Sequence, residues 1–285
     1  MSDRTKIILL LLPALSVIGL LFFGGLAIGL MRSFNYMPVI GLTEPNLAAY
    51  VAIFSDREFY LSFALTFHIA FTSTVISCVL AVGAALLLRR AFIGRVIINF
   101  LFQLNLTVPH LVGAIGILYL FSQSGSFARL AAEWELIARP AEFPALVYDP
   151  YAIGIILQYV WKEVPFIGVI ILANMQTIGE DYESVARSLG ASKWQSFRHV
   201  LLPLIAPGLS SASVIVFAFT FGAYEIPALL GANYPAALPV LAYRSYTDVD
   251  LASRPEAMAI AILIALLSAA MLCAYIRLSR RGMGR

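Results

Sequence analysis

The chain of 285 residues has little charge, because Asp, Glu, Lys and Arg together make up 12% of it while 61% of its residues are hydrophobic. A soluble domain carries about 25% charged residues. This scarcity excludes a soluble globular protein and predicts one whose surroundings are mostly lipid. Only helices or closed barrels can span lipid, and the apolar runs here are long and continuous rather than short and alternating. The sequence therefore predicts an all-α integral membrane protein.

Residue types that carry ATP, metal or disulfide chemistry are also scarce. Of the three lysines, Lys6, Lys162 and Lys193, none lies in the G-x-x-x-x-G-K-[ST] frame of a phosphate-binding loop. The three histidines are far apart and form no metal-ligating spacing. The two cysteines, Cys78 and Cys273, lie inside apolar runs and are interpreted as packing residues. We therefore expect no enzyme activity, no metal site and no cofactor in this chain.

Six apolar runs are long enough to span a bilayer, because a spanning helix needs about 20 apolar residues. The first run is too long for the core of a signal peptide and is interpreted as a retained helix. A single transmembrane domain over residues 1–285 is the predicted organisation. The predicted spans are 6–31, 60–88, 96–121, 151–178, 208–230 and 257–276.

The distribution of basic residues predicts the orientation of these spans. One set of loops, together with the two termini, carries twelve Lys and Arg residues. The other set carries six, along with ten Asp and Glu residues. Because cytoplasmic loops of membrane proteins are enriched in Lys and Arg, both termini are predicted to be cytoplasmic.

The longest water-compatible segment on the predicted cytoplasmic side covers residues 179–207. Its first half places Tyr182, Val185, Ala186 and Leu189 at the i, i+3, i+4, i+7 spacing of one helix face. An acidic start precedes this stripe, which suits the positive end of a helix dipole. The pattern predicts a short amphipathic helix at the membrane surface.

A second amphipathic helix is predicted directly after the first. Gly190 lies at the C′ position of the first helix, where a positive φ is common, and Ser192 can cap the second helix. Pro203 and Pro207 are expected to end the second helix, so that span five begins at Gly208. The pair could grip a soluble protein or lie on lipid headgroups. The apolar stripe of the second helix consists of Trp194, Phe197, Val200 and Leu201.

The spacing within this loop resembles the "EAA" loop of membrane subunits of ATP-binding-cassette (ABC) importers. In that pattern Glu-Ala-Ala is followed by three residues, Gly, nine residues, Ile, one residue and Leu-Pro. Here Gly190 is followed by nine residues, then Val200 in place of Ile, and then Leu202-Pro203. The name-giving triplet departs from the pattern, because it is Ser184-Val185-Ala186 and the glutamate comes one place early, at Glu183.

The resemblance extends along nearly the whole chain, through Leu11–Ala14, Trp161, Pro165-Phe166 and Pro227–Gly231. It is closest to spermidine/putrescine-type permeases and implies the type I ABC importer permease fold, with six transmembrane helices and a cytoplasmic two-helix coupling loop. It also implies a bacterial inner-membrane location. The implied partners are a second, different permease subunit, two ATPase subunits that bind ATP and Mg²⁺, and an external binding protein. The residues implied to hold the ATPase are Glu183, Ser184, Ala186, Leu189, Gly190, Ala191, Trp194, Phe197, Leu202 and Pro203.

The function implied by the resemblance is a passage for a small solute that the binding protein delivers. The expected solute is a polyamine or a similar small organic cation. Ferric iron, thiamine, phosphonate, sulfate or an amino-acid derivative are alternatives within the same family. An ion-coupled secondary carrier is an alternative outside it.

Ionisable residues inside predicted spans are costly and are therefore candidates for function. Lys162 and Glu163 are adjacent in span four, and Glu225 lies about five residues from the outer end of span five. A carboxylate next to the aromatic Tyr224 would suit a small cation. The alternative explanation is that Glu225 pairs with a neighbouring span or reaches the membrane interface, and this explanation is slightly preferred. The residues expected to line the passage are Glu225, Tyr224, Glu163, Gln158 and Trp161.

Overall fold

A computed structural model describes residues 3–89, 93–178 and 181–283, so the first two residues of the predicted cytoplasmic loop, 179 and 180, lie outside it. The described chain is helical, with an isolated β-bridge between Met37 and Leu42. The first helices are α1 (Asp3–Ser33), α2 (Ala48–Ser55), α3 (Arg57–Leu88), α4 (Arg95–Thr107), α5 (His110–Phe121), α6 (Ser126–Glu133) and α7 (Ile153–Ile178). The remaining ones are α8 (Asp181–Ser188), α9 (Lys193–Ser196), α10 (Leu202–Gly222), α11 (Glu225–Leu230), α12 (Leu238–Thr247) and α13 (Arg254–Met283).

Within the described residues, six helical stretches are long and apolar enough to cross a membrane, which confirms the predicted number of spans. The first, second and fourth agree with the predicted boundaries to within a few residues, whereas the third and fifth differ in ways that matter for the site. The six stretches are Thr5–Ser33, Arg57–Leu88, His110–Glu133, Ile153–Thr177, Lys193–Gly222 and Leu251–Ala274.

The predicted span 96–121 is not a single helix in the structure. The segment consists of α4 and α5, separated at Val108 and Pro109. Val108 has an extended backbone, with ψ of 126°, as the residue before a proline prefers. Proline also lacks the N–H that would continue the hydrogen bonds of α4. The interruption lies inside an apolar run, so the groups that it frees need partners within the protein.

The prediction for span five is wrong at both ends. Pro203 and Pro207 do not end the second loop helix, because Lys193–Gly222 forms one helical stretch. A π-helical turn at Phe197–Leu201 joins α9 to α10, Pro203 follows this turn, and Pro207 lies inside α10. At its C-terminal end α10 stops at Gly222, and Ala223 is extended before α11 begins.

The chain divides into two compact units, and the candidate site lies in the larger one. One unit contains residues up to Tyr60 together with Leu238–Leu266, and the other contains Leu61–Ala237 together with the residues from Leu267 onward. In the first unit, the Tyr50 hydroxyl donates to Ser33 Oγ (2.9 Å), which ties α2 to the end of α1. The main core of the larger unit joins α3, α7 and α10 through buried residues that include Ala81, Ala85, Leu88, Ile167, Ile171, Ile205 and Val216.

Candidate functional site

The first helix of the predicted cytoplasmic loop, α8, ends in a motif that depends on glycine. Gly190 has a φ of +88°, in the left-handed region predicted for it. Its N–H donates to the carbonyl of Arg187 (2.9 Å), and the N–H of Ala191 donates to the carbonyl of Ala186 (3.0 Å). These two bonds form a Schellman motif, which satisfies carbonyls at the end of the helix. Any side chain with a Cβ is strained at this φ.

The second helix of the loop begins with a capping box, which confirms the predicted cap at Ser192. The backbone N–H of Gln195 donates to Ser192 Oγ (3.2 Å), and the N–H of Ser192 donates to Gln195 Oε1 (2.8 Å). Two donors that a helix start leaves free are thereby satisfied. The Schellman motif and the capping box together define how α9 follows α8.

The apolar faces of α8 and α9 are largely uncovered by the rest of the described chain. Four large side chains are exposed, and we call them the docking stripe: Tyr182, Val185, Leu189 and Trp194. Leu189 is 84% exposed and Trp194 is 64% exposed. Fully burying one such side chain is worth roughly 1.5–3 kcal/mol. Exposed large apolar side chains at helical spacing are typical of a surface that another molecule covers.

The other residues predicted to hold the ATPase are divided between the surface and the interior. The Phe197 ring lies 5.5 Å from the Trp194 ring and supports it from the inner side. Leu201, which follows on the π-helical turn, is buried in the main core and anchors the loop to the spans. Ser184 and Pro203 are exposed, and Ala186, Ala191, Phe197 and Leu202 are half-buried.

Glu183, the displaced glutamate of the loop motif, forms an ion pair within its own chain. Arg89 Nη1 donates to Glu183 Oε1 (2.7 Å), and Arg89 Nη2 donates to Glu183 Oε2 (2.9 Å). This is a bidentate arrangement, in which the guanidinium and carboxylate planes match. Arg187, one turn further along α8, approaches the same carboxylate only to 4.0 Å.

Sequence analysis did not identify Arg89 as the partner of Glu183. It follows the last residue of α3 and is separated from Glu183 by 94 positions, so neither helical periodicity nor motif spacing connects the two. The available signal was the displacement of the glutamate by one place, which rotates its side chain by about 100° around the helix. Beside the pair lies a cavity of about 380 Å³, lined by Leu86, Arg89, Glu183, Arg187, Lys193, Trp194, Phe197 and Leu201.

A second polar region lies within the membrane, where α7 passes the interruption of span three. Lys162 is 5% exposed, and its Nζ donates to the carbonyls of Asn105 (2.7 Å) and Val108 (2.6 Å). These carbonyls lie at the end of α4, where a helix cannot satisfy its last acceptors. A cation also suits the negative end of the helix dipole. Lys162 thus caps the helix that Pro109 interrupts.

Asn105 returns a hydrogen bond from α4 to α7. Pro165 lacks an N–H and so leaves the carbonyl of Trp161, four residues earlier, without its usual helical donor. Asn105 Nδ2 donates to that carbonyl. A lysine of α7 therefore donates hydrogen bonds to carbonyls of α4, and an asparagine of α4 donates one to a carbonyl of α7. We call these contacts the α4–α7 exchange. They place two helix defects side by side where each supplies the other with a partner.

Glu163 is buried in the same part of α7 and joins three helices. It is 4% exposed, and its Oε1 accepts from Thr220 Oγ1 (2.6 Å) while its Oε2 accepts from Ser77 Oγ (3.1 Å). Ser77 belongs to α3 and Thr220 to α10. Lys162 points instead to α4, in line with the roughly 100° between consecutive helical residues. A cavity of about 380 Å³ at this level is lined by Leu106, His110, Lys162, Glu163, Phe166, Ile215, Val216 and Phe219.

The five residues expected to line a passage lie on α7 and around the start of α11. Glu163 borders the cavity just described, but the other four are not among its lining residues. Gln158 is buried and its Nε2 donates to the His110 carbonyl (3.1 Å), whereas Trp161 is exposed. Glu225 is not inside a continuous span five, as predicted, but is the first residue of α11, beside the exposed Tyr224.

The part of the chain that the structure describes contains no group of three His, Cys, Asp or Glu side chains that could hold a metal ion. The contacts described in the two regions are ion pairs, hydrogen bonds and apolar packing.

Comparison with known proteins finds one family whose matched residues include both regions. Residues 73–283 match the family described as binding-protein-dependent transport system inner membrane component. The sulfate transport system permease protein CysT of Escherichia coli is 24% identical over 227 residues, covering 79% of this chain and 78% of CysT. The molybdenum transport system permease protein ModB of Mycobacterium bovis is 29% identical over 194 residues, covering 67% of this chain and 69% of ModB. The thiamine transport system permease protein ThiP of Salmonella typhimurium is 28% identical over 242 residues, covering 84% of this chain and 42% of ThiP.

Solved structures show the same fold. A chain from a bacterial ABC transporter involved in the import of the acidic polysaccharide alginate aligns with a TM-score of 0.80 at 20% identity, covering 97% of this chain and 95% of that one. A chain of the MetNI methionine ABC transporter in inward-facing conformations aligns with a TM-score of 0.56, covering 78% of this chain and 94% of that one. The predicted permease fold with six membrane helices is confirmed.

Proposed function

The chain belongs to the family of binding-protein-dependent transport system inner membrane components, and from this premise we propose that it forms one half of the passage of an ATP-driven importer. A second, different permease subunit supplies the other half. An external binding protein delivers the solute, and two separate ATPase subunits bind ATP and Mg²⁺ and carry out hydrolysis. In this proposal the chain itself contributes no catalytic group and holds no cofactor, and both of its termini are cytoplasmic.

The observation that carries the proposal is the docking stripe, whose members lie on both sides of two ordered helix caps. The Schellman motif at Gly190 and the capping box at Ser192 hold α8 and α9 in a defined arrangement. Leu189 and Trp194, which flank this junction, are the most exposed members of the stripe. A preformed apolar surface loses little entropy when it binds, because its backbone is already ordered. We assign this surface to a cleft on the ATPase.

The path from the loop into the membrane supports a mechanical role for this contact. Lys193–Gly222 is one helical stretch, so α9 continues through the π-helical turn into α10 without interruption. When the ATPase subunits close on ATP, they displace the loop and with it α10. The binding energy of the closed ATPase thereby favours one of two arrangements of the passage.

The proposal also names a class of solute. A polyamine or a similar small organic cation was expected from the resemblance to spermidine/putrescine-type permeases. Its candidate contacts, Glu225 and Tyr224, are both exposed near the start of α11. The relatives described above are named instead for sulfate, molybdenum and thiamine. We keep the small cation as the first candidate, with an oxyanion and thiamine as the competing candidates.

Isolation of the intact assembly tests the proposal. The tagged chain is purified in mild detergent, and the proteins bound to it are identified. We expect an ATPase with a G-x-x-x-x-G-K-[ST] loop and a second permease. The melting temperature of the binding protein is then measured with polyamines, metal ions, oxyanions and thiamine. A chain that purifies without any ATPase would contradict the proposed function. If only an oxyanion raises the melting temperature of the binding protein, the solute is an oxyanion and not a cation.

A further inference from the structure

Glu183 occupies the place in the loop where a contact with the ATPase was expected, yet its carboxylate already has a partner in the chain. Both of its oxygens accept hydrogen bonds from Arg89, and the side chains are only 15% and 24% exposed. Exposed ion pairs contribute little because water and salt screen them. A bidentate pair that is largely shielded from water is stronger and fixes geometry as well as distance.

The pair provides a second connection between the loop and the helices of the membrane. The first is the continuous helix from α9 into α10, and the second is the link from α8 to Arg89 at the cytoplasmic end of α3. From α3 the contact continues inward. Ala85 and Leu88 pack in the core with residues of α7 and α10, and Ser77, about 18 Å further along the helix axis at 1.5 Å per residue, donates to Glu163.

We propose that Arg89 is a positioning residue of the loop that contacts the ATPase. Resting on the proposed function, the inference is that the Arg89–Glu183 pair stays closed during transport and delivers displacement of α8 to α3, while the continuous helix delivers displacement of α9 to α10. Arg89 therefore acts on the passage through α3 and touches neither the solute nor the ATPase.

Two thiol reporters separate the two connections. In a variant without Cys78 and Cys273, a single cysteine replaces either Val79 on α3 or Ile215 on α10, both of which are exposed in the described structure. The permease is purified with its ATPase. The rate at which a small methanethiosulfonate labels each cysteine is measured without nucleotide and with ATP plus vanadate, which traps the closed ATPase.

In the otherwise unchanged permease, we expect ATP and vanadate to alter the labelling rate at both positions. In the Arg89→Ala variant, the response at position 79 should be lost, while the response at position 215 and the amount of bound ATPase are retained. The matched control is Arg187→Ala, which removes the cation that approaches Glu183 only to 4.0 Å. This control should leave both responses intact.

Restoring the pair in the opposite sense gives an independent readout. In the Arg187→Ala background, which removes the like charge one turn away, Arg89→Glu combined with Glu183→Arg should recover the response at position 79. Each of the two charge reversals alone should abolish it. Recovery shows that the ion pair matters rather than the identity of either side chain.

Several outcomes would overturn the inference. If the response at position 79 persists in Arg89→Ala, the pair does not transmit displacement to α3. If that response is absent from the unchanged permease, α3 does not respond to the ATPase at all. If Arg89→Ala loses the labelling response at both positions, the pair only stabilises the loop and does not act on α3 separately. If a bifunctional thiol reagent that joins Arg89→Cys to Glu183→Cys stops ATP hydrolysis, the pair must open during the cycle. A permease that retains no ATPase at all contradicts the proposed function instead.

Discussion

The α4–α7 exchange and the docking stripe differ in where their partners come from. In the exchange, Lys162 and Asn105 satisfy carbonyls that Pro109 and Pro165 free, so that each costly group is matched by another group of the same chain. In the docking stripe, large apolar side chains remain uncovered at the surface, and Leu189 is the most exposed of them.

This difference separates what the chain needs in order to fold from what it needs in order to work. Lipid offers no hydrogen bonds, so defects in the spans must be satisfied before or as the helices associate. A cytoplasmic surface can leave apolar groups open to water at a moderate cost and recover that cost on binding. A charged residue in a span was therefore weak evidence for a solute site, whereas an uncovered apolar loop is stronger evidence for a partner.

The comparison first requires that the docking stripe lies on the cytoplasmic side, and this can be tested by an all-or-none labelling experiment. In a background without Cys78 and Cys273, we expect Ser126→Cys and Asp248→Cys to react with a membrane-impermeant thiol reagent added from outside. Lys193→Cys should react only after the membrane is opened. Labelling of position 193 in intact cells would place the loop outside and contradict the predicted orientation.

Gly190→Val should have the largest functional effect among single substitutions in the loop. At a φ of +88° a β-branched side chain is strained by about 1–3 kcal/mol, and relief of that strain moves α8 relative to α9. We expect the purified permease to lose its ATPase while its spans remain inserted. Gly41→Val is the matched control, because Gly41 has a similar φ of +83° but lies in another loop. Normal ATPase retention in Gly190→Val would show that the two helix caps do not form the docking site.

Lys162→Met should destabilise the permease itself more than its complex. Methionine keeps most of the length and apolar surface but removes the donor to the Val108 carbonyl, while the Asn105 carbonyl still accepts from the N–H of Val108 (3.2 Å). An unsatisfied buried acceptor costs about 1–3 kcal/mol, so the melting temperature of the purified chain should fall. Lys193→Met, at an exposed position of the loop, should leave it unchanged. An unaffected melting temperature in Lys162→Met would mean that water or lipid headgroups reach the end of α4.

Local patterns were enough to predict much of the fold and part of the site. Continuous apolar runs predicted the number of spans, because length and hydropathy alone decide whether a helix can cross a bilayer. Gly190 and Ser192 were predicted correctly, because the hydrogen bonds of helix caps join residues within a few positions of each other. Both kinds of prediction use information contained in a short stretch of sequence.

The features that sequence analysis missed depend on contacts between distant segments. Pro109 interrupts the predicted span three, whereas Pro165 does not interrupt α7. The sequence around each proline gives no reason for this difference. Partners across the bundle decide the outcome, since Lys162 caps the interrupted helix and Asn105 completes the continuous one. Arg89 was missed for the same reason, because its partner belongs to a helix 94 positions later.

The smallest predicted effect tests whether the two defects of the exchange depend on each other. Asn105→Leu should lower stability by about 0.6 kcal/mol and at most about 1.7 kcal/mol, the range for interhelical hydrogen bonds in membranes, because the Trp161 carbonyl then has no donor. Pro165→Ala restores the N–H that this carbonyl lacks, so Asn105→Leu should cost less in the Pro165→Ala background. The stabilities of the unchanged chain, the two single variants and the double variant form a double-mutant cycle. The coupling energy from this cycle measures how far the two substitutions act through the Trp161 carbonyl. If Asn105→Leu costs the same in both backgrounds, the asparagine does not compensate for the proline, and the two defects are neighbours without being partners.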